Sequence, residues 1–387
     1  MWEITTPRTI AAGEGALEYL KQVRGKKALI ITGKTVRRLG FADKVANYLS
    51  ESGIDSEFFE VEPEPSVETV MKGAELAKNY DPDIIIGLGG GSNIDAAKAV
   101  WVLYERPDLK LGDVNPFINL ELRKKAKLIA IPTTSGSGSE VSWAMVITNP
   151  AERRKLELAN KELIPDIAII DPEFPMKMPP RLVAETGFDA LTHAVEAYVA
   201  PVGNDFSEAL ASKAIQLIFN YLHRSYRNPE DKEAKMKMHI AATFAGMAFT
   251  ASDVGVAHAL GHVAGGVLHI PHGKLMAIIL PYSIEYNAKV AAKKYAEIAK
   301  SVGIEAPTED EAVKKFVESI KNLRSELDEP ASLGEAGVPK EEFEEKLEEM
   351  ASKAIKSVVL RGNPRPLSLE EARKLYTYIY EGRSVDF

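Results

Sequence analysis

The β-strand signal in this chain stops near residue 170, and everything beyond it reads as helix. Before that point, β-branched runs at 27–32, 56–61, 83–88 and 127–132 alternate with helical patterns starting near residue 35 and running over 66–79 and 96–104. Runs at 144–148 and 166–170 are two further strand candidates. Strands separated by helices specify a parallel α/β sheet. After the proline-rich stretch 175–180, a 3.6-residue period predicts helices over 207–226, 232–249, 288–302, 309–327, 340–357 and 368–381. The chain therefore divides near residue 178 into an α/β domain (1–178) and an all-helical domain (179–387).

Composition narrows the class. With 45% hydrophobic and 27% charged residues, the chain has the make-up of a soluble globular protein. A net charge of -8 argues against nucleic acid or an anionic membrane as main partner. There are no cysteines, which excludes disulfides, a thiolate nucleophile and Cys-based metal sites. Met1-Trp2-Glu3-Ile4-Thr5 lacks the basic start and apolar core of a signal peptide, so a cytoplasmic location is expected. Abundant Lys and Glu without Cys suit a thermophile.

All seven histidines fall after residue 192. Asp189 and His193 lie four apart in a helix-compatible run, which puts carboxylate and imidazole on one face, a turn apart. His258 and His262 repeat that spacing, and His272 follows in Pro271-His272-Gly273, where a loop opens another helix. One such pair is most simply a packing feature. Two of them with a His-Gly loop point to a divalent ion held by one Asp and three His, with a position left open for a ligand.

Two glycine-rich loops occupy the carboxyl ends of predicted strands, where open α/β sheets bind ligands. The first, Gly87-Leu88-Gly89-Gly90-Gly91-Ser92-Asn93-Ile94-Asp95, feeds a helix whose N-terminus suits a phosphate. The second, Pro132-Thr133-Thr134-Ser135-Gly136-Ser137-Gly138-Ser139-Glu140, offers hydroxyls for phosphate or ribose oxygens. Neither matches the GxGxxG fingerprint or the P-loop.

Taken in order, Gly89-Gly90-Gly91-Ser92 with Asp95 and Lys98, Thr133-Thr134 with Ser139-Glu140, Gly187-Phe188-Asp189 with His193, His258-Ala259-Leu260-Gly261-His262 and Pro271-His272-Gly273 resemble the iron-dependent (group III) alcohol dehydrogenases. The resemblance runs from Pro7 to Asn363-Pro364-Arg365. It implies a nucleotide-binding N-terminal domain, an all-helical metal-binding domain of the kind also found in dehydroquinate synthase, and an active site in the cleft between them. It also implies Asp189, His193, His258 and His272 as metal ligands and His262 as a histidine near the substrate. Gly90, Gly91, Ser92 and Asp95 would belong to the cofactor loop, Thr133, Thr134, Ser137 and Lys155 would be cofactor contacts, and Phe249 would line the substrate pocket. The chain departs from many relatives at Gly33, where Asp is common, at Glu64, where Asn often precedes the proline, and at Ala144, which replaces the Asn of diol-type enzymes.

The activity so implied is reversible hydride transfer between a primary alcohol, or its aldehyde or a small ketone, and NAD(P). Fe²⁺ would activate the hydroxyl (Zn²⁺ being an alternative ion), and the nicotinamide would take the hydride. NADP is expected to be preferred over NAD. An acidic residue at the end of such a strand would repel the 2′-phosphate, whereas Gly33 does not, and Lys34, Arg37 and Arg38 add positive charge. A glycine there also suits a tight turn. A dehydroquinate synthase-like enzyme, a zinc glycerol dehydrogenase, a metal phosphohydrolase and a non-catalytic nucleotide binder are the competing readings. A homodimer is the expected assembly.

Overall fold

The computed structural model describes residues 2–151 and 154–387. It resolves into two compact units, one spanning Ile4–Met178 and the other built on Pro179–Phe387.

The first unit has strands β1 (Thr9–Ala12), β2 (Lys27–Gly33), β3 (Asp55–Val61), β4 (Ile84–Gly89), β5 (Lys127–Pro132), β6 (Ala144–Asn149), β7 (Arg154–Ala159) and β8 (Ile167–Ile170). Its helices are α1 (Lys34–Arg38), α2 (Phe41–Glu51), α3 (Val67–Tyr80) and α4 (Gly91–Glu105). Six strands form one parallel sheet in the order β1-β8-β5-β4-β2-β3. Side chains alternate between its faces. Leu29, Ile31, Ile85 and Leu128 pack with Val70, Val100 and Trp101 of α3 and α4. Ala28, Ile30, Ile84 and Ile86 pack with Val45 and Leu49 of α2. Cover on both faces explains why the central strands read as unbroken apolar runs.

The chain runs outward from β2 to β3, then returns to place β4 on the other side of β2. The strand order therefore reverses between β2 and β4, and the crevice at such a switch point is where open α/β sheets bind ligands. Gly33 ends one of those strands and Gly89 the other.

Two features depart from the sequence expectation. The segment 144–148 forms a strand but stays outside the parallel sheet; it pairs antiparallel with β7, from Ala144↔Ala159 to Asn149↔Arg154. β7 alternates the buried Leu156 and Leu158 with the charged Lys155 and Glu157, a period too short to stand out in a charged stretch. β1 is a four-residue edge strand, defined by its pairing with β8 rather than by its composition.

The second unit comprises α5 (Pro180–Val199), α6 (Asp205–Arg227), α7 (Lys232–Ser252), α8 (Val256–Leu268), α9 (His272–Ser301), α10 (Glu309–Glu326), α11 (Lys340–Ala354) and α12 (Leu369–Glu381). α5 is its central helix: Phe188, Ala190, Leu191, Ala194 and Ala197 are all fully buried. α9 starts well before residue 288 because 275–284 is buried all round and so shows no amphipathic period; non-helical angles at Ala291 (φ -127, ψ 18) then break it. Among the described residues, no single helix is long and apolar enough to cross a membrane.

Candidate functional site

Helix geometry assembles the histidine cluster within the second unit. Asp189 and His193 share one face of α5, and His258 and His262 share one face of α8. His272 is the first residue of α9, just after Pro271 at its N-cap. Gly273 is required at the next position, because a Cβ there would lie 2.3 Å from the Glu185 carbonyl oxygen of α5. That close approach brings His272 against the helix carrying Asp189.

One carboxylate oxygen and two imidazoles form a compact trio: ligand atoms of Asp189, His258 and His272 lie within 4.8 Å of one another. His272 Nε2 is 3.2 Å and His258 Nε2 3.8 Å from Asp189 Oδ1. His193 is not part of that trio, but its Nδ1 is 3.8 Å from the same oxygen. Its ring stacks on His258 at 4.4 Å and on Phe249 at 4.5 Å. The His262 ring lies 5.7 Å from that of His258 and 5.1 Å from that of His272.

Asp189 Oδ1, His193 Nδ1 and His258 Nε2 are buried with no hydrogen-bond partner. Leaving one such atom unpaired costs about 1–3 kcal/mol, so three clustered around Asp189 Oδ1 call for a further group to satisfy them. A cation fits, and a set of one carboxylate and imidazoles without sulfur suits a first-row divalent ion. Burial alone would keep Asp189 protonated, but the surrounding imidazoles outweigh it and hold the carboxyl well below its usual range. Burial pushes His193 down to about 3, which leaves it neutral and able to donate a lone pair. For His258 burial works the same way, yet Glu196 and Asp189 prevail and hold it up at about 9.

The sequence reading missed Glu196. Its carboxylate is 2.6 Å from His258 Nδ1 and accepts hydrogen bonds from the Gly255 and Ala257 amides. A signal was present: Asp189, His193 and Glu196 sit at i, i+4 and i+7 of one helix, a single face.

In the first unit, the two glycine loops abut. The Thr133 amide donates to the Gly89 carbonyl at 2.9 Å. Gly91 is needed because a Cβ would come within 2.8 Å of Ser137 Oγ, and the space beside Gly90 is bounded by Thr134. Gly90 is the N-cap of α4, which has no side-chain cap. The amides of Gly91 and Ser92 thus begin a 15-residue helix, a favourable seat for a phosphate.

Two expected cofactor contacts are engaged within the protein. Asp95 accepts from Ser139 Oγ at 2.5 Å and from the Val146 amide at 2.9 Å, tying the second loop to β6. Lys155 pairs with Glu64 at 2.8 Å. Nor does Gly33 make a tight turn. Its backbone is extended (φ -102, ψ 159), and a Cβ would meet only the flexible end of Asn93 at 3.0 Å. Beside it, Lys34, Thr35, Arg37, Arg38, Asp43 and Glu60 line a surface depression, in which Arg37 lies 3.8 Å from Glu60.

Comparisons with known proteins agree with this architecture. Residues 7–172 match the iron-containing alcohol dehydrogenase family model, and residues 183–380 match the C-terminal model of the Fe-containing alcohol dehydrogenase family. The chain is 45% identical over 390 residues to an NADPH-dependent butanol dehydrogenase of Clostridium saccharobutylicum, covering 100% of each. It is 39% identical over 377 residues to an alcohol dehydrogenase of Thermococcus barophilus, covering 95% of this chain and 96% of that one. The solved iron-containing alcohol dehydrogenase from Thermococcus thioreducens superposes with a TM-score of 0.91 at 36% identity, covering 99% of this chain and 100% of that one. With both family models matched in order on a shared fold, the chain belongs to the iron-containing alcohol dehydrogenases.

Proposed function

We propose that the protein interconverts a small primary alcohol and its aldehyde, using NADP in preference to NAD and a divalent ion, Fe²⁺ natively, held by Asp189, His193, His258 and His272. The observation that carries this reading is a set of three unpartnered buried polar atoms, His193 Nδ1 and His258 Nε2 each lying 3.8 Å from Asp189 Oδ1.

When bound, the ion supplies Lewis-acid chemistry, lowering the pKa of an alcohol hydroxyl and, in reverse, polarising a carbonyl. The protein's own residues do the rest. Asp189 contributes the negative charge that balances the cation, and neutral His193 a lone pair. Phe249, stacked on His193, walls one side of the site with an apolar ring and helps keep water away. His262, one turn beyond His258, orients the substrate or relays the hydroxyl proton, a role supported by its ring lying 5.1 Å from that of His272. In the first unit, the α4 N-terminus with Gly90, Gly91 and Ser92 receives the pyrophosphate, and the Thr133, Thr134 and Ser137 hydroxyls bind neighbouring cofactor oxygens.

NADP preference rests on Gly33 and the cations beside it. In the depression there, Lys34, Arg37 and Arg38 outnumber Asp43 and Glu60. The NADPH dependence named for the Clostridium relative supports the same choice, and its butanol supports a simple alcohol as substrate. Ala144, where diol-type enzymes carry Asn, argues against lactaldehyde. A cytoplasmic homodimer completes the reading.

The test is NADPH formation from 1-butanol by protein stripped with chelator and reloaded with Fe²⁺ or Zn²⁺. Metal-dependent turnover faster with NADP than with NAD is expected. No alcohol-dependent reduction of either cofactor across a series of primary alcohols would overturn the reading.

A further inference from the structure

α8 carries His258 near its start but has no side-chain cap of its own. Its first amides are satisfied from outside the helix. Glu196 Oε2 accepts from Gly255 N at 2.8 Å and Oε1 from Ala257 N at 2.6 Å, while Asn363 Oδ1 accepts from Val256 N at 3.1 Å. Asn363 is itself locked by a reciprocal pair of bonds with Asn287, at 2.8 and 2.9 Å. Gly255 leaves room for both caps, since a Cβ there would sit 2.8 Å from Asn363 Oδ1 and 3.1 Å from Glu196 Oε1.

Glu196 differs from Asn363 in also reaching the ring of His258. Its Oε2 is 2.6 Å from Nδ1, and both side chains are almost fully buried. Glu196 already accepts from two backbone amides, an arrangement that suits it to accept from the imidazole as well, with the proton between them carried on Nδ1. Once a cation displaces the Nε2 proton, the now neutral imidazole keeps its single proton on Nδ1, facing that carboxylate. The Nε2 lone pair is thereby left free, and Nε2 is the buried, unpartnered atom near Asp189. We propose that Glu196 is a positioning residue that selects the metal-binding tautomer of His258 and, by capping α8 with the same carboxylate, fixes where that ring sits. The inference rests on the reading of Asp189, His193, His258 and His272 as the metal site, and it adds a carboxylate–histidine–metal relay to it.

A structural cap and a positioning residue predict different results. Glu196→Gln keeps the volume and one acceptor oxygen. If its NH₂ faces His258, the ring proton must move to Nε2, where it blocks the ion. If the NH₂ faces Ala257, the tautomer survives but the charge that raises ligand basicity is lost. Both orientations weaken binding, by roughly 10–100-fold for an outer-shell change of this kind. Asn363→Ala removes the other cap without touching the ring. It should lower thermal stability and leave metal affinity within about two-fold of the parent, on the same reasoning.

The experiment is a Co²⁺ titration of chelator-stripped full-length protein, followed by its visible spectrum, for the parent, His258→Ala, Glu196→Gln and Asn363→Ala. In the Zn²⁺-loaded parent, nitrogen-15-edited proton spectra should add a strongly downfield His258 Nδ1–H resonance. Weakened Co²⁺ binding and an upfield shift or loss of that resonance in Glu196→Gln, but not in Asn363→Ala, are expected. Parent-like affinity and an unmoved resonance in Glu196→Gln, with His258→Ala unable to bind, would overturn the role of Glu196 alone. Equal binding by the parent and His258→Ala would instead overturn the metal-site reading beneath it.

Discussion

In the first unit the buried ammonium of Lys98 reaches three oxygens, the Ser142 carbonyl at 2.9 Å, the Ser142 hydroxyl at 3.2 Å and the Ala144 carbonyl at 2.8 Å. Burial pushes it down to about 8, against the pull of Asp95 and Glu140. Asp95 beside it has donors on both oxygens, and Glu105 accepts from the amides of Lys124, Lys125 and Ala126. In the second unit, Asp189, His193 and His258 each bury a polar atom that nothing in the protein satisfies. Buried polar groups with complete bonding hold a fold in place, whereas a converging set without it is arranged for something the fold does not contain. By that criterion the buried charges of the first unit serve the fold, whereas the cluster around Asp189 and His258 in the second is arranged for a ligand.

The largest effects should come from removing those unsatisfied side chains. Asp189→Asn or His258→Ala should abolish stoichiometric metal binding and lower kcat by about a thousand-fold or more. The metal-free Asp189→Asn protein should still fold but be somewhat less stable than the metal-free parent, because the imidazoles around Asp189 favour its charged form. Metal analysis and thermal melts check both. Full metal content alongside a marked loss of stability would make Asp189 a structural residue, like those of the first unit.

The first unit should fail in a different way. Gly91→Ala forces a Cβ into the space occupied by Ser137, whose Oγ and Cβ would lie at 2.8 and 2.9 Å. The loops must separate, so KM for NADPH should rise roughly 10–100-fold, as expected for sub-ångström misplacement of a bound group. Metal content should stay at the parent level. A drop in metal content would show that the two sites are not independent.

The histidine cluster and the abutting glycine loops were legible in the sequence for the same reason, that local spacing dictated geometry. An i,i+4 pair on a helix shares a face whatever packs around it, and a glycine run at a strand end marks a backbone approach. What escaped depended on distant contacts. Glu196 shares the face of Asp189 and His193, but its role appears only when α8 presents its amides to it. Asp95 sits in a cofactor-like motif, but it is occupied by Ser139 and Val146 from later in the chain. β6 was read correctly as extended; its partner β7 shows too short an alternation to reveal that the two form a separate ribbon.

A smaller effect sharpens the cofactor side. The extended backbone at Gly33 accepts any residue, and only the flexible Asn93 side chain must give way. Gly33→Asp would place a carboxylate where it repels a 2′-phosphate. Unscreened at about 4 Å this costs up to about 4 kcal/mol at an effective dielectric of 20; solvent and salt reduce it to roughly 1–2 kcal/mol. The ratio of kcat/KM for NADP over NAD should therefore fall about ten-fold. An unchanged ratio, or a parent that already prefers NAD, would remove Gly33 from the specificity argument.

Glu329 sets the limit of the comparison, since it is an unsatisfied buried oxygen outside the convergent set. Its residue is 8% exposed, and Oε2 has no partner. Burial, aided by Glu185 and opposed by Lys274 and Arg181, raises its carboxyl to about 7 from an ordinary 4.5. The folded pKa therefore lies above the unfolded one. Below about pH 4.5 both states hold the proton, and Glu329 causes no loss. As pH rises from there through 7 the folded state must take up a buried charge, so the stability tied to its protonated form is lost and stays lost at higher pH. Glu329→Gln should thus stabilise the protein at pH 8 by roughly 1–2 kcal/mol after discounting for solvent access, or about 2–4 °C per kcal/mol in Tm, with almost no gain at pH 4.5. Metal content should not change. Melting curves at the two pH values, with metal analysis alongside, separate the possibilities. Loss of metal in Glu329→Gln would mean that this oxygen belongs to the site. A pH-dependent gain in stability with full metal retention would show that an isolated unsatisfied atom is only strain, and that convergence is what marks a ligand set.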